Sequence, residues 1–210
     1  MKNKREALSR ERILKAALAI VDREGLEAIS MRKVGEALGV EAMSLYNHVP
    51  SKAAILDGLY ETVLAELPPA RRASSWPAAL KERARALRAV FRAHPSVLPV
   101  FATRPAVTPG SIKHLEGVLE VLRSAGFSAD VALSTVQVLL AFVVGHSLSS
   151  YSPAVDGPNY ESLSEDEFPR VREVARILGD HDLEKELEFG LDAMVRGIDA
   201  QRAKARRAKK

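Results

Sequence analysis

Between residues 31 and 52 the chain reads MRKVGEALGVEAMSLYNHVPSK, and the second half of this stretch gathers polar and aromatic side chains. Glu41, Ser44, Tyr46 and His48 follow a glycine at short intervals, and Lys52 closes the segment. A phenol, an imidazole and an ammonium can each donate a hydrogen bond to an anionic oxygen, and Glu41 can accept one. A bare helical hairpin has no need of such a set. A short helix pressed against a polyanion does.

Two short helices meeting at Gly39 would mount these groups. Ser30 can cap the first. Val34 and Leu38 point inward from it, and Val40, Leu45 and Val49 point inward from the turn and from a second helix over about 41–48. Gly35 stands where a bulky side chain would hold the two helices apart. A small residue, a glycine turn and apolar residues at these places form the pattern of a helix-turn-helix, whose second helix lies in the major groove of DNA.

The rest of the chain shows helical punctuation throughout, and the fold class it predicts is all-α. Ser9 caps a helix that carries Ile13, Ala17, Ile20 and Val21 on one face and stops at Gly25. Ser51 caps a linking helix, 51–67, bearing Ile55, Leu56, Leu59, Val63 and Leu67. PPARRASSWP, 68–77, reads as a linker and a domain boundary. Helices are then expected over about 78–94, at 95–104, from Thr108-Pro109 to Gly126, and from a Ser128 cap to about 150. A loop at 152–166 and helices at 167–178 and 182–201 follow. The organisation predicted is a DNA-binding domain at 1–67, a larger helical domain at 78–201 and a basic tail at 202–210.

Composition narrows the classes. The chain has 210 residues, is 47% hydrophobic and 28% charged, and has no cysteine, which excludes disulfides, thiolate metal sites and a cysteine nucleophile. MKNKREALSRER has no apolar run of signal-peptide type. VQVLLAFVVG, 136–145, is too short to span a membrane and has Gln137 within it and His146 beside it. A cytoplasmic protein with no membrane partner is expected. Residues 1–52 carry a net +3, residues 53–201 a net −5, and RAKARRAKK at the end +6. An acidic body with basic ends suits a polyanion at one end only. The tail either adds non-specific DNA affinity or is merely solvated.

ERILKAALAIVDREGLEAISMRKVGEALGVEAMSLYNHVPSKAAILDGL resembles the DNA-binding domain of TetR-family transcriptional regulators, with LYNHVPSK in place of that family's LY.HF..K signature. The resemblance covers residues 9–67. More weakly, VFATRP (100–105), AGFSADVAL (125–133) and ELEFGLDAMVRGIDAQ (186–201) resemble the ligand domain of the tetracycline repressors. It implies that Arg32 opens the helix before the turn and reaches a base edge or phosphate. Glu41, Ala42, Met43 and Ser44 then lead into the groove, while Tyr46, His48 and Lys52 contact phosphates and set register rather than sequence. Glu41 can accept from a cytosine amino group, or it is a carboxylate favoured at a helix N-terminus. Ala42 and Met43 offer apolar contact only. Asn47 stands in the recognition helix where the tetracycline repressors carry a tryptophan.

The resemblance also implies a homodimer through a four-helix interface built from 128–150 and the last helix, with a small-molecule effector inside the larger domain. Candidate polar points of that pocket are Thr103, Gln137 and His146, with Phe101 and Phe142 as walls. His94 and His114 read as helix-end or surface histidines. Val100 and Pro68 fall where the tetracycline repressors carry a metal-binding and a ligand-binding histidine. No metal site is therefore expected, no cofactor, and an effector that is mostly apolar. The chain reads as a ligand-responsive repressor of a palindromic DNA operator. A helical-bundle enzyme and an effector-independent DNA-binding protein are the alternatives, but no GxSxG, HExxH, GxGxxG or phosphate-binding loop supports the first.

Overall fold

The computed structural model describes residues 7–69, 75–151, 160–178 and 182–207. Among them there are ten α-helices, three short 3-10 turns and no strand. α1 (Arg10–Glu24) begins where Ser9 Oγ accepts from the Arg12 N–H and ends at Gly25, φ +85°. Ile13, Ala17, Ile20 and Val21 are buried, as their shared helical face requires. α2 (Met31–Leu38) is capped by Ser30 and ends at Gly39, left-handed at φ 65°, ψ 36°, which glycine adopts without steric cost. α3 (Ala42–Leu45) is shorter than the 41–48 expected. Beyond Leu45 the chain tightens, because the N–H groups of His48 and Val49 both donate to the Leu45 carbonyl, each at 2.9 Å. Buried Leu45 and Val49 anchor that turn, and Pro50 follows.

α4 (Lys52–Ala65) is capped by Ser51 and packs on α1 so closely that a Cβ at Gly58 would overlap the Leu14 side chain. α5 (Trp76–Ala93) begins inside the stretch expected to be linker: Ser75 Oγ accepts from the Ala78 N–H, and Pro77 sits in the first turn, where no N–H partner is needed. Residues 70–74, the middle of that expected linker, lie outside the described residues. A 3-10 turn, Pro95–Val97, leads into α6 (Leu98–Thr103). α7 (Pro109–Ser124) opens with reciprocal Thr108 and Ser111 capping bonds.

α8 (Ala129–Tyr151) is not capped by Ser128 as expected: that hydroxyl is buried with no hydrogen bond among the described residues, and only the Ser128 carbonyl joins the helix. Of the expected 152–166 loop, 152–159 lie outside the described residues, and Tyr160–Ser162 forms a 3-10 turn. α9 (Pro169–Leu178) and α10 (Leu183–Arg207) complete the chain. α10 runs past the expected end at 201, through residues of high helix propensity. Arg202 is consequently no tail residue. Its guanidinium donates to the Ala125 carbonyl at 3.1 Å, pairs with Asp199 at 2.7 Å and lies 5.6 Å from the Trp76 and Phe127 rings.

α8 is the central helix of the larger unit, in contact with α5, α6, α7 and α10. Its whole length is apolar enough to cross a membrane by composition, so the shortness of 136–145 was not a sufficient reason against a span. Its position is the better one. Ala132, Leu139, Val143 and Val144 are core, alongside buried Thr135, His146 and Ser147. α10 crosses it so tightly that a Cβ at Gly190 would strike the Phe142 ring.

Candidate nucleic-acid interface and ligand cavity

The turn between α2 and α3 is packed backbone to backbone. A Cβ at Gly35 would come within 2.9 Å of the Val40 carbonyl oxygen and 3.2 Å of the Ala42 nitrogen. This holds α3 and its extension in one register and divides the predicted residues into two sets. Glu41, Met43, Tyr46, Asn47, His48 and Lys52 are exposed, Met43 by 72%, whereas Ala42 and Ser44 are half-buried. Met43, Tyr46 and Asn47 share the outward face, at i, i+3 and i+4. Glu41 makes no capping hydrogen bond with its side chain. Arg32 is exposed but held by Glu36 on its own helix at 2.7 Å, a surface pair that water and salt weaken easily.

Lys52 begins α4, and three ion pairs fasten that helix to its surroundings. Arg104, just after α6, donates to Asp57 at 2.7 Å. Arg10 of α1 pairs with Glu61 at 2.7 Å. His94, at the end of α5, lies between Asp22 of α1 (2.8 Å) and Glu66 after α4 (2.9 Å). Burial disfavours the imidazolium, but the hydrogen bonds to Glu66 and Asp22 outweigh it and raise the His94 pKa above the ordinary value. The two carboxylates meet opposite ring nitrogens and so do not converge on a metal. Among the described residues no three histidine or carboxylate groups do.

A cavity of about 490 Å³ lies between the end of α4, α5 and α7. Leu67, Pro68, Leu80 and Val121 give it apolar walls, while Ala79 and Ala86 on α5 and Gly117 on α7 leave the space open. Its polar points are Arg83, Glu82, His114 and Lys113. An Arg83 Nη donates to His114 Nδ1 at 2.6 Å. Burial first, then the charges of Arg83 and Lys113, hold the His114 pKa below its ordinary value, which suits a neutral acceptor.

None of the five predicted pocket residues lines this cavity. Phe101 is buried between Tyr60 (stacked, 4.1 Å) and Phe91 (edge-on, 4.7 Å). Thr103 is exposed and donates to the Pro99 carbonyl of its own helix, and Gln137 is exposed on α8. Phe142 and His146 sit together on α8, and His146 Nδ1 faces Ser150 Oγ at 3.4 Å. Burial and the charge of Arg88 hold the His146 pKa low. Val100 is buried in the apolar core, and with Thr103 bonded to its own helix nothing there fits a metal. The residues of this cavity are not picked out from the sequence, and His114, read there as a helix-end or surface histidine, is half-buried against Arg83. The signal was a pair of helical stripes rich in small residues, 79-83-86 and 114-117-121, on two helices that face each other.

Residues 13–59 match the family described as "Bacterial regulatory proteins, tetR family", and residues 68–202 match "Tetracyclin repressor-like, C-terminal domain". The chain is 37% identical over 144 residues to the HTH-type transcriptional repressor DrrR1 of Streptomyces coeruleorubidus, a match covering 68% of this chain and 53% of that repressor. It is 28% identical over 201 residues to the class D tetracycline repressor protein from Escherichia coli, covering 92% and 90% of the two chains. Among solved structures it resembles apo ActR of Streptomyces coelicolor, with a TM-score of 0.84 and 30% identity over 95% of this chain and 99% of that one. ActR in complex with actinorhodin gives a TM-score of 0.81 at the same identity, over 94% and 99%.

Proposed function

The chain belongs to the TetR family of bacterial regulatory proteins, and from that premise we propose that it is a repressor that binds a two-fold symmetric operator as a homodimer and leaves it when a small molecule enters the α4–α5–α7 cavity. It is a ligand-responsive transcriptional regulator rather than an enzyme. Like other DNA-binding regulators of its family, it works in the cytoplasm. The observation that carries the operator reading is the exposed set Met43, Tyr46, Asn47 and His48, held rigidly by the close approach at Gly35. α4 leads from Lys52, beside that set, to Leu67 and Pro68 at the cavity.

The dimer reading rests on two stripes. On α8, Leu133, Val138 and Leu148 are exposed along with Ala141 and Gly145; on α10, Phe189 is 73% exposed, in line with Ala193, Gly197 and Ala200. Added Cβ atoms at Gly145 and Gly197 would meet nothing within 4 Å in this chain, so both glycines leave room for a second copy. An apolar patch of this kind marks an association surface, and a two-fold pairing would make it a four-helix interface. The two recognition elements would then lie roughly 34–36 Å apart, or a multiple of that.

Genomic fragments selected on the purified chain, with light scattering of the free and bound protein, test both claims. Inverted repeats bound by a dimer are expected. A monomer that binds DNA as a monomer at micromolar concentration overturns the reading.

A further inference from the structure

Resting on the reading of the α4–α5–α7 cavity as the effector site, we propose that the cavity's ligand is an apolar acid, an aromatic or alicyclic body bearing a carboxylate, sulfonate or acidic phenol, with its anionic group paired to Arg83. The inference begins with how α5 disposes of its basic side chains. Lys81 pairs with Asp192, Arg85 with Glu188 (2.5 Å) and Arg88 with Glu184, so three cations on one flank of α5 meet three carboxylates spaced along α10. Arg83 lies on the other flank, toward α7. It is half-buried, it donates to neutral His114 Nδ1 at 2.6 Å, and its other Nη reaches the Pro68 carbonyl only at 3.5 Å. No carboxylate among the described residues lies within 4 Å of it.

A guanidinium in such a place has lost hydration without gaining a counter-charge. Burial shifts its pKa downward, and no acid among the described residues offsets the shift. A carboxylate or sulfonate delivered by a ligand would accept two parallel N–H bonds from the planar fork, the geometry in which arginine binds anions best. Lys113 adds a second positive charge at the cavity, and Glu82 is the one carboxylate among the lining residues. Apart from His114 the remaining lining is apolar, and about 490 Å³ suits a molecule of two to three fused rings more than a bare inorganic anion. Arg83 also touches the end of α4 through Pro68, so drawing the guanidinium toward a ligand acts on the helix that starts at Lys52.

The test uses the full chain and two fluorescent probes with the same rings: anilinonaphthalenesulfonate, an apolar anion, and uncharged N-phenylnaphthylamine. The sulfonate should bind tighter by about tenfold or more, the order expected for a charged hydrogen-bonded pair, and should displace the neutral probe. Arg83→Met should remove that advantage and leave the neutral probe's affinity unchanged, while Arg83→Lys, which keeps the charge and loses the fork, keeps only part of it. The comparison of probes on the unaltered protein stands even if Arg83→Met folds poorly. Equal affinities, an advantage that survives Arg83→Met, or preference for cationic dansylcadaverine lost in Glu82→Gln would each overturn the proposal. Operator release by both probes without preference for the acid would overturn the acid but keep the effector reading. Arg83-dependent binding of the acid with no change in DNA affinity would do the reverse.

Discussion

Two sites built from small residues flank α4, and they use smallness in opposite ways. At the DNA end Gly35 is small because backbone fills the space: a Cβ there would sit 2.9 Å from a carbonyl oxygen. At the other end Ala79, Ala86 and Gly117 are small and nothing fills the space, and an added Cβ at Gly117 would meet no atom within 4 Å. The first arrangement fixes the helix-turn-helix rigidly, and the second leaves a cavity open. A glycine in a helix thus says only that bulk is excluded; its neighbours decide whether the result is contact or void.

The largest expected effect comes from breaking the filled site. Gly35→Val drives a branched side chain into the Val40 carbonyl and should cost about 3 kcal/mol or more, since backbone yields less readily than a side chain. A lower melting temperature and loss of all sequence-specific DNA binding should be seen by calorimetry and fluorescence anisotropy. Unaltered DNA binding would mean that the turn is not the tight element described.

Gly117→Leu should have a different outcome. Helical backbone accepts the leucine and gains most of the roughly 0.8–1 kcal/mol that separates glycine from alanine in a helix, so stability holds or rises. DNA affinity should persist while the response to any releasing compound is lost, a change of about 5- to 150-fold for a typical coupling. A variant that still responds fully would place the ligand elsewhere.

A smaller effect separates contact from readout at the DNA end. Lys52→Ala should weaken binding to all sequences alike and flatten the log–log salt dependence by about 0.9 per phosphate contact, so roughly 1.8 for a dimer. Met43→Ala should instead change which sequences are preferred. A shifted base preference in Lys52→Ala with an unchanged salt slope would contradict these roles.

The smallest effect concerns the other end of α4. The His94 pKa is raised in the folded chain, so the bridge to Asp22 and Glu66 contributes stability fully below about pH 6.5, the ordinary histidine value, and loses it as pH rises through the higher folded value. The melting temperature should therefore fall from pH 6 to pH 8 by more in the parent than in His94→Gln. Parallel curves would show that the bridge is thermodynamically silent.

Much of this was legible in the sequence, but unevenly. Caps at Ser9, Ser30 and Ser51 and stops at Gly25 and Gly39 are local devices, and all five are where their chemistry predicts. Ser128 fails because the same hydroxyl that could cap was buried by its neighbours. The helix-turn-helix was legible because its spacing lies within one short segment. The cavity is assembled from residues 65–69, 79–86 and 113–121, and no local pattern reports a void between them. Phe101 and His146 drew attention as aromatic and polar groups in apolar surroundings, yet the first is spent on stacking and the second lies on α8 among α10 and α5 side chains.

Were α4 to tilt about the Arg104–Asp57 pair, the fulcrum would lie off its centre, and the Arg10–Glu61 and His94–Glu66 pairs on the longer arm would have to give. At 1.5 Å per residue, about 12 Å of helix lies between Asp57 and Ala65 at the cavity, and about 7.5 Å between Asp57 and Lys52 at the DNA. A ligand that shifts the cavity end by about 2 Å therefore moves the Lys52 end by little more than half as much, in the opposite direction, with a correspondingly larger force. The gearing favours torque over travel. Its output is then multiplied by whatever stands farther out, because the helix-turn-helix is carried beyond the short arm and a second copy would repeat the motion through the two-fold axis. Removing the Asp57 carboxylate would leave the Arg10–Glu61 pair, one helical turn nearer the cavity, as the pivot, and would trade that torque for reach.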